Sequence, residues 1–555
     1  MPDAGLIVRH YEEARTKRLP YEWIWKDSYA YTYPVRGAQL WTSGQAGDLG
    51  DAGGLAASAT RQADLLDTTG TDSVRILASA LMSGLTPANS RWFGLEVNDA
   101  DDAAKRWLDE AAEKLWTYIH RSNYDAVGYE SMLDLVCSGQ CPLYIDEAPT
   151  GGLRFEQWPL AQCYYSSSTR AGPVDTVYRC MTMTAQQAVD YYGADKVGSR
   201  TLAAASAQPL APQTYLWAIY PRDGGYRGDG TRTPATRMPY ASCHLDMVTK
   251  SIVRESGYEE MPVIVPRWLL LSDAAYAIGP VFEALPDLRQ LNHTIRLQNQ
   301  GMEIHAGAGT YKATDDGVLN PRTIKLGHRR VIVVGNIDNL VPLAEAGDMQ
   351  KTLLDIERLQ RAIRKVLMAD QLQPQDGPQM TATEVHVRTD LIRQQLGPLY
   401  GRMQAEFLQP MVERCFGLAF RAGALPPPPQ SLAGQSYRIQ YLSPLARAQK
   451  LVDVSAMDRF ELSLQAEAAV DPTVLDHYDL DEAARTRGDL LGVPKRLIRE
   501  QAIVDEIRKA RAKAQQAQQA EQMAMMSAQA SDSDQPDTAT TAMMGAITRR
   551  RGAAA

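Results

Sequence analysis

Several kinds of chemistry lack their signatures in this chain of 555 residues. It has no phosphate-loop motif, no His-Glu-x-x-His, no nucleophile elbow and no cluster of metal ligands. Its eight histidines, from His10 to His477, never pair closely. Its six cysteines form no framework, which reads as reduced thiols in a cytosolic setting. Cys137 and Cys141 stand across a helix end, but without a second pair or a nearby histidine they make a weak zinc signal. Long apolar runs are missing too. The longest, residues 262–271, is short and is interrupted by Arg267, far below what a bilayer needs. The first ten residues lack the apolar core of a signal peptide. No cofactor, metal or membrane partner is therefore expected, and catalysis has no support. An enzyme built on an unrecognised carboxylate pair stays open as a remote alternative.

Positive charge is also scarce. Against 66 acidic residues stand 58 basic ones, a net charge of −8. A protein that grips DNA sequence-specifically is usually basic on its DNA face. The balance argues against a repressor or a nuclease clamp. It is compatible with a conduit in which DNA slides, because tight phosphate contacts would hinder movement.

What is present is an ordinary globular composition, 45% hydrophobic and 22% charged. The length is too great for one core and suggests about three or four regions. A polar helix is expected from Val8 to about Lys17, followed by the aromatic cluster Tyr21, Trp23, Trp25, Tyr29, Tyr31 and Tyr33. With only Lys26 and Arg36 nearby, the cluster reads as a hydrophobic anchor and not as a base-stacking platform. Gly44–Gly54 lacks the Lys-Ser or Lys-Thr of a phosphate cradle and reads as a surface loop. Asp72 or Ser73 can cap a helix through Leu81, and Asp101 and Asp102 begin the next. Asp99, Asp101 and Asp102 suit a helix dipole better than a metal. Residues 140–270 alternate short β-like runs with turns, interrupted by one helix at 185–192 behind a Thr184 cap.

Residues 280–305 are helical again, with Leu285, Leu288, Leu291, Ile295 and Leu297 as the apolar set. A β-rich insert follows, with strands expected at 310–314, 322–326 and 329–334. A helix over 348–370 places Leu353, Ile356, Leu359, Ile363, Val366 and Leu367 on one face. The order alone gives a helical hairpin with a globular tip. Gln371–Gln379 carries Pro374, Gly377 and Pro378, which no helix tolerates. Thr381-Ala-Thr-Glu384 is a capping box, and the apolar pattern then runs to Phe420. If unbroken, that stretch would be roughly 60 Å long at about 1.5 Å per residue. Pro398 and Pro410 should each bend it. Lys351, Arg358, Arg361 and Lys365 recur at spacings of seven, three and four and make one basic stripe. Two readings stay open for the stripe. It is either a surface near a polyanion, or a solvated or intersubunit face with Glu357 paired to Arg361. A strand at 437–441, helices after Ser443-Pro444 and Asp471-Pro472, and a last helix from Pro494 complete the ordered part.

Met380-Thr-Ala-Thr-Glu-Val385, Gly397-Pro398 and Arg421-Ala-Gly-Ala-Leu-Pro426 together resemble the portal, or head-to-tail connector, proteins of short-tailed phages. Leu66-Asp-Thr-Thr69, Leu81-Met-Ser-Gly-Leu-Thr-Pro87, Gly279-Pro-Val-Phe-Glu-Ala-Leu285 and Tyr441-Leu-Ser-Pro-Leu-Ala446 agree, in the family's order. The resemblance spans about residues 8 to 500 and consists of short, non-catalytic motifs. It implies a mixed α+β, mainly α-helical portal fold. Residues 1–279 would form the wing or body, 280–305 and 348–370 the stem helices, and 306–347 the β-rich clip. Residues 371–380 would be the channel loop, with Gln371, Gln373, Gln375, Asp376 and Gln379 facing DNA. Residues 381–436 would be a long bent wing helix with a Pro-rich linker, 437–512 a helical crown, and 513–555 a Gln/Ala-rich, largely disordered tail. The resemblance further implies a twelve-fold closed ring at one capsid vertex of the virion, assembled in the bacterial cytoplasm. Its partners would be double-stranded DNA held transiently, the packaging terminase, the major capsid and scaffold proteins, and a tail adaptor. The rival reading is a scaffold or tail adaptor that never touches DNA.

Overall fold

The computed structural model describes residues 3–41, 52–97, 101–169, 172–222, 234–271, 274–306, 311–313, 340–342, 349–372, 397, 399–432, 438–441, 444–468, 473, 477–491, 493, 497, 499 and 501–533. The chain divides into two compact units, Met1–Val452 and Asp453–Ala555. The described residues are mainly helical with several small sheets.

The first unit opens with one continuous helix, Ala4–Ala30, capped by the Asp3 side chain. It runs through the aromatic cluster instead of stopping near Lys17. Pro20 lies on the exposed face, where the carbonyl it leaves unpaired can be solvated. Trp25 and Tyr29 are buried and Tyr21, Tyr31 and Tyr33 pack on the core, so the anchor is real, but Trp23 points outward. The firmest hold is a residue the pattern did not mark. Buried Arg18 donates to the carbonyls of Leu160, Ala161 and Cys163 at 3.2, 2.9 and 2.8 Å and pairs with Glu22. Its guanidinium lies 4.3 Å from the Tyr164 ring centre. One cation thus satisfies a turn whose carbonyls would otherwise be buried unpaired.

The next helix, Ala52–Ala63, begins within the loop expected at Gly44–Gly54, whose residues 44–51 lie outside the described residues. The one after it spans Thr69–Leu85, with Asp72 inside its first turn and not at the cap. Asp101 caps Asp102–Arg121 by accepting from the Ala104 amide at 2.8 Å. Tyr124–Ser138 packs against Thr69–Leu85 and ends at Gly139. Beyond it lies an antiparallel five-stranded sheet in sequence order: Cys163–Ser166, Thr176–Thr184, Pro212–Pro221, Tyr240–Asp246 and Ser251–Tyr258. Two helices, Ala185–Tyr192 and Ser199–Ala207, are inserted after the second strand, the first with a Thr184/Gln187 capping box. A smaller sheet joins Leu153–Gln157, Leu143–Glu147 and Val263–Ile264. Phe93–Glu96 pairs with Arg438–Tyr441, which closes the unit across most of its sequence.

Pro280–Ala306 and Met349–Val366 pack together as the expected hairpin. Beyond them, Tyr311–Ala313 pairs antiparallel with Leu340–Pro342, so the chain leaves and returns side by side. The strands expected at 322–326 and 329–334 lie outside the described residues. The helix expected to 370 breaks at Met368, whose φ of 57° is unusual for a side chain with a Cβ. A short helix, Ala369–Leu372, follows.

The chain is described again as a helix that ends in Gln409–Arg421. Pro410 has no amide for the Glu406 carbonyl. A π-helical turn at Gln404–Leu408 absorbs this, with the Gln409 amide reaching back to the Gln404 carbonyl. The bend expected at Pro410 therefore takes the form of one widened turn. Pro398 and the Thr381–Glu384 capping box lie outside the described residues.

The second unit holds most of the Pro444–Ala468 helix, then Leu480–Leu491 and Gln501–Ser533. Arg487 pairs with Asp458 at 3.2 Å and with Glu461, and Tyr478 donates to Glu461 at 2.9 Å. Arg508 grips Asp481 with two bonds. The last helix passes the expected boundary at 512 and continues to Ser533. Its side chains from Arg508 to Met523 are exposed, so alanine and glutamine propensity carries it more than burial does.

The seat of the hairpin rests on two glycines. Gly139 ends its helix at φ +86°, and a Cβ there would lie 2.2 Å from the Ile278 carbonyl carbon and 2.4 Å from the Gly279 nitrogen. A Cβ on Gly279 would meet the Val136 carbonyl at 2.5 Å. Gly139→Ala should cost roughly 2–4 kcal/mol, the sum of a left-handed backbone and an overpacked contact. Denaturant melts of the variant would measure it. A loss under about 0.5 kcal/mol, the level of a surface substitution, would contradict the close approach.

Candidate functional site

The expected site elements are the hairpin, its basic stripe and the segment after it. Ile356, Leu359, Ile363 and Leu367 are the buried face of Met349–Val366 and its extension. Lys351, Arg358, Arg361 and Lys365 all lie on the opposite, exposed face, where Arg364 joins them. Arg361 pairs with Glu357 at 3.4 Å, as the sequence suggested, and Arg358 with Asp355 at 3.5 Å. More than 60% of each of these side chains is open, so the pairs stabilise little. Gln371 falls in the Ala369–Leu372 helix. Gln373, Gln375, Asp376 and Gln379 lie outside the described residues.

What holds the hairpin is the Leu66-Asp-Thr-Thr stretch, for which the sequence offered no physical role. Asp67 accepts from the Thr69 amide at 2.7 Å and from Gln360 of the second helix at 2.8 Å. The Leu66 amide donates to Asn292 of the first helix at 2.9 Å, and Asn292 donates back to the Asp64 carbonyl at 3.1 Å. One short segment thus clasps both helices at the same level. Polar side chains at helix midpoints were the available signal, but only their partners give them meaning.

The chain that follows the hairpin is fixed at both described ends. On one side Leu367 and Ala369 are buried. On the other, Arg402 donates to the Trp268 carbonyl at 2.8 Å. Glu406, in the π-helical turn, takes two bonds from buried Arg267 at 2.9 and 2.8 Å, and Arg267 also reaches the Gly172 carbonyl. One helix further, Glu260 accepts from Arg414 at 3.1 Å and from both terminal nitrogens of Arg421 at 2.6 and 2.7 Å. Arg267 and Glu406 are buried charges that satisfy each other, and removing one partner of such a pair costs about 3–5 kcal/mol; Arg421 is exposed and its pairing is screened.

The reactive groups are placed for inertness. All six cysteines are free and buried. Burial pushes the Cys137 and Cys163 thiols up to about 12, the latter against the pull of Arg179 and Arg18. Burial also pushes His244 down to about 3, so this ring stays neutral while it stacks on Trp217 and shares a 3.0 Å hydrogen bond with Tyr192. Among the described residues no group of three or more His, Cys, Asp or Glu side chains is arranged to hold a metal ion. No helix of the described residues is long and apolar enough to cross a membrane.

The described residues thus form a framework of clasped helices. The profile of the family described as "Bacteriophage head to tail connecting protein" matches residues 4–498. The chain belongs to that family. It is 30% identical over 524 residues to the "Probable portal protein" of Bordetella phage BPP-1, covering 92% of this chain and 91% of the relative. It is 25% identical over 534 residues to the "Portal protein" of Salmonella phage epsilon15, with the same coverage of both. Among solved structures, a chain from the "Virion of native gene transfer agent (GTA) particle" aligns over 77% of this chain and 90% of its own. That match has 13% identity and a TM-score of 0.31. Members of this connector family form oligomeric rings between capsid and tail.

Because burial raises these thiols, the folded protein should resist a thiol reagent. At pH 8 the native protein should release less than about one equivalent, since thiolate is scarce and shielded. After denaturation without reductant all six cysteines should react. Rapid labelling of the native chain, or a stable deficit after denaturation, would contradict the buried, reduced state.

Proposed function

We propose that copies of this chain close into a ring at one capsid vertex and serve as the conduit for DNA packaging and ejection. The chain's membership of the connector family over residues 4–498 supports this reading, as do the names of its two relatives. The observation that carries it is the clasped hairpin. Two helices leave a rigid body, and their far halves keep Leu297, Met302, Leu353 and Leu354 open to solvent. Such a set on a soluble chain asks for a partner, and a repeated heterologous contact that closes makes a ring.

In this reading the ring has twelve subunits, with residues 1–279 as wing and the hairpin as stem. Residues 306–347 form a clip that receives the packaging terminase and then the tail adaptor, and 437–512 form a crown inside the head. Major capsid and scaffold proteins surround the ring during assembly in the host cytoplasm. The protein has no cofactor and breaks no bond; the energy for translocation comes from the terminase.

Residues 371–380 then form the channel loop. Gln371, Gln373, Gln375, Asp376 and Gln379 give it polar groups without a cation. Amides and glutamines hold phosphate weakly and without sequence preference, which suits a sliding contact. Both neighbouring segments are anchored, by Leu367 and Ala369 before the loop and by Arg402 and Glu406 after it.

Replacing residues 373–379 with a Gly-Ser linker should leave ring mass and head assembly intact. DNA-filled heads should fall by about tenfold or more, or should leak, as expected when a positioned contact is lost. Normal yields of stable, filled particles would remove the loop from the DNA path. They would favour a connector that never touches DNA.

A further inference from the structure

At one level the hairpin carries an acidic pair on its first helix and a basic pair on its second; the first helix's own Arg289 and Arg296 are engaged by Asp27 and Asp64. Asn292 and Gln360 are clasped by the same segment, residues 64–67, and so mark a common height on the two helices. The helices run in opposite directions, since the strands beyond them pair antiparallel. Five residues toward the body from each mark stand Asp287 on the first helix and Lys365 on the second, about 7.5 Å below it at about 1.5 Å per residue. Glu283 lies one turn before Asp287, and Arg364 lies beside Lys365.

These four side chains are exposed or half-exposed. Among the described residues none of them has an ion-pair partner. The flanks also have different neighbours. The first helix borders Ala4–Ala30, where Trp23, 53% exposed, stands edge-on to Phe282 at 6.1 Å. The second borders Thr69–Leu85 and, through Gln360, bonds Asp67 just before that helix. Different neighbours and opposite charge are what a head-to-tail contact between identical copies requires.

We propose that the body-side end of the basic stripe is an intersubunit face. Arg364 and Lys365 of one copy meet Glu283 and Asp287 of the next, and Trp23 with Phe282 gives the contact its apolar edge. The stripe is thereby divided by role: this end orients neighbours around the ring and is not a surface for DNA. Because all copies in a closed ring share one height, groups at the same level on opposite flanks can meet without tilting a subunit. The inference rests on the ring reading above.

Charge reversal tests it. R364E/K365E should lower the mass fraction in rings by about tenfold or more at low salt, because like charges would then face each other at every interface. E283K/D287K should do the same. The chain carrying all four reversals should form rings again, since every interface regains opposite charges. Sizing by light scattering or mass photometry reads the result, and the monomers should keep wild-type circular dichroism. Wild-type ring mass in R364E/K365E would overturn the proposal, and so would failure of the fourfold variant to restore rings lost in both parents. A wild-type chain that never forms rings would instead sink the ring reading itself, and this inference with it, by a separate and prior result.

Discussion

The contact between Gly139 and Gly279 is the constraint on which the rest of the molecule depends. Two backbones approach so closely that neither position has room for a Cβ. Gly139 adds a left-handed turn that ends Tyr124–Ser138, and its carbonyl then accepts from the Trp268 amide at 2.7 Å. Gly279 delivers the chain directly into Pro280, whose missing amide is harmless at a helix start. The direction in which the hairpin leaves the body is therefore set by backbone, which cannot change rotamer. Gln140 and Trp25 reinforce the seat by bonding the Ala277 amide and carbonyl at 3.1 and 3.3 Å.

Outward from this seat, stability comes from apolar burial and direction from polar clasps. Val281, Ala284, Leu285, Leu288 and Leu291 are buried at the base of the first helix, and Ile356, Leu359, Ile363 and Leu367 answer from the second. Burying side chains of this size contributes about 1.5–3 kcal/mol each, enough to hold the base firmly. The far halves have less to bury against, and there the clasp at 64–67 ties both helices to the body. A lever built this way is rigid at its root and leaves Leu297, Met302, Leu353 and Leu354 exposed on its far half.

Periodicity made much of this legible. The hairpin, the helix start at Asp101, the Thr184 cap and the disturbance at Pro410 follow from spacing, caps and the missing proline amide. The anchor role of Trp25 and Tyr29 follows from their character, but the outward turn of Trp23 does not, because an aromatic residue carries no label for the partner it will meet. The strands Cys163–Ser166 and Ser251–Tyr258 were not marked, being short, polar or irregular in alternation. Arg18, Asp67, Asn292 and Gln360 were invisible for a different reason. Each acts on a partner more than 140 residues away in sequence, and single-sequence patterns report only local neighbours. The break at Met368 has no signal at all, since methionine is an ordinary helix residue. The basic stripe was legible as a stripe, and the structure supplied what the sequence lacked: its exposed face, and the acidic residues at its own level on the other helix.

In the proposed ring the clasped hairpin stands beside a central channel. A reconstruction of the purified full-length protein from electron micrographs tests it most directly. The account predicts a closed ring with a central hole, Pro280–Ala306 and Met349–Val366 bordering that hole, and the Gly139–Gly279 seat outside them. A ring whose hairpins project from the outer rim, or a particle with no hole, would contradict it.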